Sequence, residues 1–82
     1  MEDIKEKTAD EIFENLGYRK VQDDQYWIDY IRRNENITFN LTNKFMEATR
    51  EYKDSFMDKR LTIEELQAIN KKCKELNWLG DE

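Results

Sequence analysis

Apolar residues recur at three- and four-residue steps near both ends of the chain and at two-residue steps between them. That change of period predicts a helix, a set of strands and a second helix. The stronger helical pattern lies in residues 61–80, LTIEELQAINKKCKELNWLG. Thr62 and Glu65 have capping-box spacing, so each can satisfy a backbone donor left free at a helix start, and Leu61 and Leu66 are placed as a hydrophobic staple. Leu66, Ile69, Cys73 and Leu76 then fall on one apolar face. Glu64 and Glu65 stand at the positive end of the helix dipole, and Lys71, Lys72 and Lys74 at the negative end. Gly80 is the expected left-handed stop.

The N-terminal pattern is shorter. Thr8 and Glu11 repeat the capping-box spacing, and Ile12, Phe13 and Leu16 give an apolar side. Gly17 is placed as a left-handed cap, with Tyr18 folding back against Phe13. The polar residues 1–7, MEDIKEK, either precede this helix or extend it by a turn.

From Tyr18 the period falls to two, with Asp23-Asp24 marking a turn or a bulge. Tyr26, Ile28 and Tyr30 then share one face, and Trp27, Asp29 and Ile31 the other. Asn34-Glu35-Asn36 has turn chemistry. Ile37, Phe39 and Leu41 alternate with Thr38 and Asn40 as a half-buried strand. After a turn at Thr42-Asn43-Lys44, a third strand from Phe45 to Tyr52 sets Met46, Ala48, Arg50 and Tyr52 against Phe45, Glu47, Thr49 and Glu51. Residues 53–60, KDSFMDKR, read as a loop with Phe56 and Met57 tucked under the core. The expected fold is α+β, in the order α-β-β-β-α: a three-stranded antiparallel sheet with two helices packed on one face, and residues 1–82 as a single domain. The second face of such a sheet is left open.

Composition changes the picture in three ways. A hydrophobic fraction of 38% with ten aromatic residues supports a folded core despite 40% charged residues. The net charge of −5 is uneven: residues 1–29 carry nine acids and four bases, and residues 30–82 ten of each. This surplus disfavours direct binding to nucleic acid; it serves either as solubility charge or as a steering field. A single cysteine fits a reducing compartment. No apolar run approaches the ~20 residues of a membrane span, and the acidic N-terminus does not resemble a signal peptide. The expected location is the cytoplasm.

Candidate chemistry is sparse. The chain has no histidine, which removes the commonest general base and neutral metal ligand. Cys73 lies within an apolar stripe with no nearby base, and reads as a core residue. Asp23, Asp24 and Asp29 lack the spacing and turn glycine of a calcium loop. Neither glycine sits in a phosphate-cradling pattern. No catalytic residue, metal or cofactor is expected. Arg32-Arg33, Lys59-Arg60 and Lys71-Lys72-Lys74 are short basic groups offset by acids, and read as solvated helix faces and loop ends. Trp27 and Ile31 stand on the face away from the helices, either as interface anchors or as residues covered by another part of the chain.

The segments TADEIFENLGY (8–18) and LTIEELQAINKKCKELNWL (61–79) resemble the two ends of a family of short proteins encoded by phages and prophages of Gram-positive bacteria. That family pairs a "TADEMFEELGY"-like opening with an "ELQAINKKCKELGW"-like closing helix around variable strands. Asn77 stands where the family often has glycine. The resemblance covers about thirty residues and implies a setting, a mobile-element accessory protein inside a bacterial host cell, without transferring any functional residue.

Setting and charge together suggest a stoichiometric inhibitor of a bacterial immune nuclease, similar in style to an anti-CRISPR protein, with a Cas-type nuclease as the possible host partner. The acidic first third (Glu2, Asp3, Glu6, Asp10, Glu11, Glu14, Asp23, Asp24, Asp29) would steer association and Trp27 would anchor it. The expected partner-binding residues are Trp27, Asp29, Ile31, Asp23, Asp24, Glu11 and Glu14, on a monomer or weak homodimer. Two rival readings are a sponge for a nucleotide immune signal, using Arg32, Arg33, Tyr30 and Trp27, and a phage structural or regulatory module.

Overall fold

The structure, a computed structural model, describes residues 7–78. Gly80 and the acids Glu2, Asp3 and Glu6 lie outside the described residues. The element order is α1 (Ala9–Asn15), β1 (Arg19–Asp23), β2 (Trp27–Arg32), β3 (Glu35–Asn40), β4 (Phe45–Tyr52), β5 (Ser55–Asp58) and α2 (Ile63–Glu75). The strands form one antiparallel meander in the order β1-β2-β3-β4-β5. The α+β class agrees with the sequence, but the sheet has five strands where three were expected.

Both extra strands lie at the edges, and every residue in them is exposed. An edge strand with no buried side leaves no apolar alternation to read. β5 replaces the expected loop at 53–60. Tyr52 pairs with Ser55 across Lys53 (φ 48) and Asp54 (φ 66), two successive left-handed residues that match the twist of a two-residue hairpin. Phe56 and Met57, expected beneath the core, are instead exposed. The β2–β3 turn sits at Arg33 (φ 55) and Asn34, so that Glu35 and Asn36 already belong to β3. At the β3–β4 turn the buried Asn40 side chain accepts hydrogen bonds from the backbone N–H groups of Thr42 and Asn43.

Both helices start with the expected reciprocal caps, Thr8 with Glu11 and Thr62 with Glu65. Both also end alike. Gly17 (φ 94) closes α1, with Tyr18 N–H donating to Phe13 O and Gly17 N–H to Glu14 O. Asn77 (φ 62) closes α2, with Trp78 N–H donating to Cys73 O and Asn77 N–H to Lys74 O. This is the paired 6→1 and 5→2 pattern of a Schellman stop. The second helix therefore ends at Asn77, three residues before the expected Gly80.

The core lies between the sheet and the two helices, which pack on one face of it. Ala9 and Phe13 of α1, Ala68 and Ile69 of α2, and Ile28, Tyr30, Ile37 and Phe39 of the sheet are buried together with Tyr18. The Phe13 ring stacks on Tyr30 at 4.0 Å between centroids and meets Tyr18 and Phe39 edge-on. Trp78 closes the end of this cluster against Phe39. Tyr26, expected to face the helices with Ile28 and Tyr30, lies instead in the β1–β2 turn and is exposed. The buried face of α2 is also turned from the expected one. It is centred on Glu65, Ala68, Ile69 and Lys72, with Cys73 and Leu76 at its border, while Leu66 is 45% exposed.

Candidate functional site

Strand register assigns every sheet residue to one of two faces. Ile28, Tyr30, Ile37, Phe39, Met46 and Ala48 face the helices; their neighbours in sequence face away. The uncovered face thus carries Trp27 and Phe45 in one row, flanking Asn40, and Ile31 and Phe56 toward the opposite end. Trp27 is 39% exposed and Phe56 71%. Ile31 and Phe56 line a shallow hollow of about 310 Å3 with Asn36, Glu51 and, at the β2–β3 turn, Arg33. Between these apolar ends lie Asp29, Asn36 and Thr38, where the Asp29 carboxylate accepts from the Asn36 amide and the Thr38 hydroxyl.

The same face is acidic. Among its strand residues Asp29, Glu47, Glu51 and Asp58 are opposed only by Arg19. A sheet surface with apolar side chains at both ends and four carboxylates among them is chemically suited to a basic protein surface.

The expected site residues divide between two layers. Trp27, Asp29 and Ile31 come together on the uncovered face. Asp23 points to the helix side, where Lys20 donates to both its carboxylate and that of Asp10. Asp24 holds the β1–β2 turn: its carboxylate accepts from the Tyr26 and Trp27 N–H groups and from the Gln22 amide. Those bonds hold its pKa below the usual carboxylate range, the Gln22 bond foremost. Glu11 belongs to the α1 cap, and Glu14 is exposed on the same helix, in the layer opposite Trp27. Phe45, Glu47, Glu51, Phe56 and Asp58 were not anticipated as one surface. The alternation in β4 was visible, but β5, which adds Phe56 and Asp58, was not.

Beneath the sheet a buried ionic centre fixes the helices. Glu65, 1% exposed, accepts from Lys59 Nζ and the Thr62 N–H with one oxygen and from Tyr18 OH and Arg32 Nη2 with the other. Burial alone would raise its pKa, but the bonds from Lys59, Thr62 and Tyr18 and the Lys59 charge outweigh it and hold the group near 2. Burial and the same carboxylate push the Tyr18 phenol up. Arg32 also donates to Leu16 O and to Glu35, and its guanidinium lies 4.4 Å from the centre of the Tyr18 ring. Asp10 forms a second, more open centre, accepting from Tyr30 OH, Lys20 and Lys72. Against the effect of burial, these partners lower its pKa to about 2. The half-buried Cys73 thiol is pushed up by burial, which disfavours the nucleophilic thiolate.

Among the described residues no group of three or more Cys, Asp or Glu side chains could hold a metal ion, and no helix is long and apolar enough to cross a membrane. No family model, curated protein or solved structure matches the chain.

Proposed function

We propose that this chain is a non-catalytic binding protein that occupies the basic, nucleic-acid-binding groove of a host protein, most concretely a bacterial immune nuclease, as a stoichiometric inhibitor in the manner of an anti-CRISPR protein. The observation that carries this reading is the uncovered sheet face, where Trp27, Phe45, Ile31 and Phe56 accompany four carboxylates and one arginine. Large aromatic side chains supply the buried contacts that dominate interface energies. The carboxylates imitate the charge of the nucleic acid that such a groove normally receives, and accelerate encounter. The resemblance of both chain ends to phage and prophage proteins supports the bacterial setting, and with it action in the host cytoplasm.

Purified Cas-type nucleases titrated with the protein would test this. DNA cleavage should fall to zero near equimolar protein, with binding weakened as salt rises from 50 to 500 mM. Trp27→Ala should weaken inhibition by roughly 30-fold or more, the scale of a hot-spot loss of ~2 kcal/mol or above. Unimpaired inhibition by that variant, or no nuclease inhibited, would remove the reading.

A further inference from the structure

The helices leave one end of the inner sheet face bare, and there Arg50 meets the adjacent pair Arg32-Arg33. A cleft of about 750 Å3 is lined by Arg32, Arg33, Arg50 and Tyr52, with Glu35 in its wall and the end of α1 at Leu16 and Gly17. From the sequence Arg32-Arg33 reads as a solvated loop end and Arg50 as one residue of the Met46, Ala48 and Tyr52 face of the third strand. The register joins them, because Arg32 pairs with Glu35, which in turn pairs with Arg50.

The three guanidinium groups are not equivalent. Arg32 is committed to the fold through Glu65, Glu35 and Leu16 O. Its stem passes close to Gly17, where a Cβ would stand 3.3 Å from Arg32 Cδ. Arg33 is exposed and has no ion-pair partner among the described residues. Arg50 is half exposed and meets Glu35 only at 3.8 Å. With Arg32 held between Glu65 and Glu35, and Glu65 shared with Lys59, Arg33 and Arg50 are the cations the cleft can offer a ligand. The exposed Tyr52 ring forms a further part of the wall, with Lys53 Nζ 5.3 Å from its centre.

We infer that this cleft binds a small phosphate ester carrying a planar ring, a nucleotide, with Arg33 and Arg50 on the phosphate and Tyr52 stacked on the base. Guanidinium groups recognise phosphate oxygens through paired, charge-assisted hydrogen bonds, and the exposed Tyr52 ring, one face of which meets Lys53, offers its other face to a base. The volume lies within the range of small-molecule sites. The cleft is on the opposite side of the sheet from Trp27 and meets the Ile31–Phe56 hollow only at the β2–β3 turn residues Arg33 and Asn34 and the adjoining Glu35, and the inference uses no contact of Trp27.

Amide spectra of 15N-labelled protein, titrated separately with adenosine 5′-monophosphate, inorganic phosphate and adenosine, would test it. The nucleotide should shift the amides of Arg33, Asn34, Arg50 and Tyr52 saturably, phosphate should shift the arginine amides more weakly, and adenosine should have little effect. The exposed pair Arg33→Gln and Arg50→Gln should weaken nucleotide binding at least about tenfold with the spectrum otherwise unchanged. Tyr52→Ala should weaken the nucleotide and leave phosphate unaffected. Shifts located elsewhere, or insensitive to the arginine pair, would overturn the site; equal affinity for phosphate and nucleotide would overturn its assignment to a nucleotide.

Discussion

Replacing Glu65 by glutamine isolates the charge at the centre of the fold while keeping the side chain's shape. The carboxylate accepts four hydrogen bonds, from Lys59, Thr62, Tyr18 and Arg32. Glutamine offers one acceptor oxygen and turns its amide NH2, itself a donor, toward donors on the other side. Lys59, whose side chain is only 3% exposed, is left as a buried cation without its counter-charge. Breaking one partner of a buried pair costs about 3–5 kcal/mol. The lowered pKa leads to a similar size: a carboxyl held near 2 rather than its usual 4.5 corresponds to roughly 3 kcal/mol at neutral pH. The sign follows from the lowered pKa. This stabilisation is complete above about pH 4.5, fades as the pH falls toward 2, and is absent below. Domains of this size are held by roughly 4–12 kcal/mol in all, so Glu65→Gln should lower the melting temperature by about 12–40 °C. Urea unfolding followed by circular dichroism at pH 7 and pH 2.5 would read both effects. The difference between wild type and variant should shrink at the lower pH. Adding Lys59→Met to Glu65→Gln should restore part of the loss, since the stranded cation is then gone. A variant within 1 kcal/mol of wild type at pH 7, or one with an unchanged acid transition, would refute the central role of this carboxylate.

Other outcomes follow from the packing and the caps. Phe13→Ala empties the centre of the aromatic stack against Tyr30, Tyr18 and Phe39 and should cost about 3–5 kcal/mol by urea unfolding. Asn77→Gly should raise stability by roughly 0.5–1 kcal/mol, because the stop at φ 62 costs glycine nothing in side-chain strain; Gly17→Ala should lower it, since φ 94 and the nearby Arg32 stem both resist a Cβ. Asp10→Asn removes partners of Lys20 and Lys72, but water reaches over a third of that side chain, so the loss should be about 1 kcal/mol and should vanish at pH below 2.

What was readable in the sequence was local. Helix caps are set by residues three apart, and the Phe13–Tyr18 contact by residues five apart, so Thr8, Glu11, Gly17, Thr62 and Glu65 announced themselves. The faces of β2, β3 and β4 followed from simple alternation around Ile28, Ile37 and Met46. The orientation of α2 was not readable because its buried side contains two charged residues. Glu65 is drawn in by Tyr18, Arg32 and Lys59, and Lys72 by Asp10 and Glu75. Apart from Lys59 and Glu75 these partners are more than thirty residues away, and no periodicity of apolar residues records them. The stripe through Leu66 was the natural choice on hydrophobicity alone, and long-range ion pairing displaced it. The hairpin at Lys53-Asp54 was hidden for a different reason: it lacks the glycine that usually marks two left-handed residues.

The net charge of −5 averages over surfaces of opposite character. Among the strand residues, register puts four carboxylates and one arginine on the uncovered sheet face and Arg50 on the inner face, while Arg33, in the β2–β3 turn, borders both the cleft and the hollow beside Ile31. A sheet can keep such fields apart because successive residues of a strand point to opposite sides, as Thr49 and Arg50 do beside Glu51 and Tyr52. The two surfaces are therefore separable by mutation: Trp27 and the arginine pair share no partner, so their effects on binding should add. Glu65 breaks this symmetry. It fixes Arg32, which lines the cleft, while its contacts do not reach the uncovered face. Glu65→Gln, studied at a temperature where it remains folded, should weaken nucleotide binding at the cleft and leave a Trp27-dependent interaction intact. Equal damage to both would mean that the sheet answers as one cooperative unit rather than as two faces with separate duties.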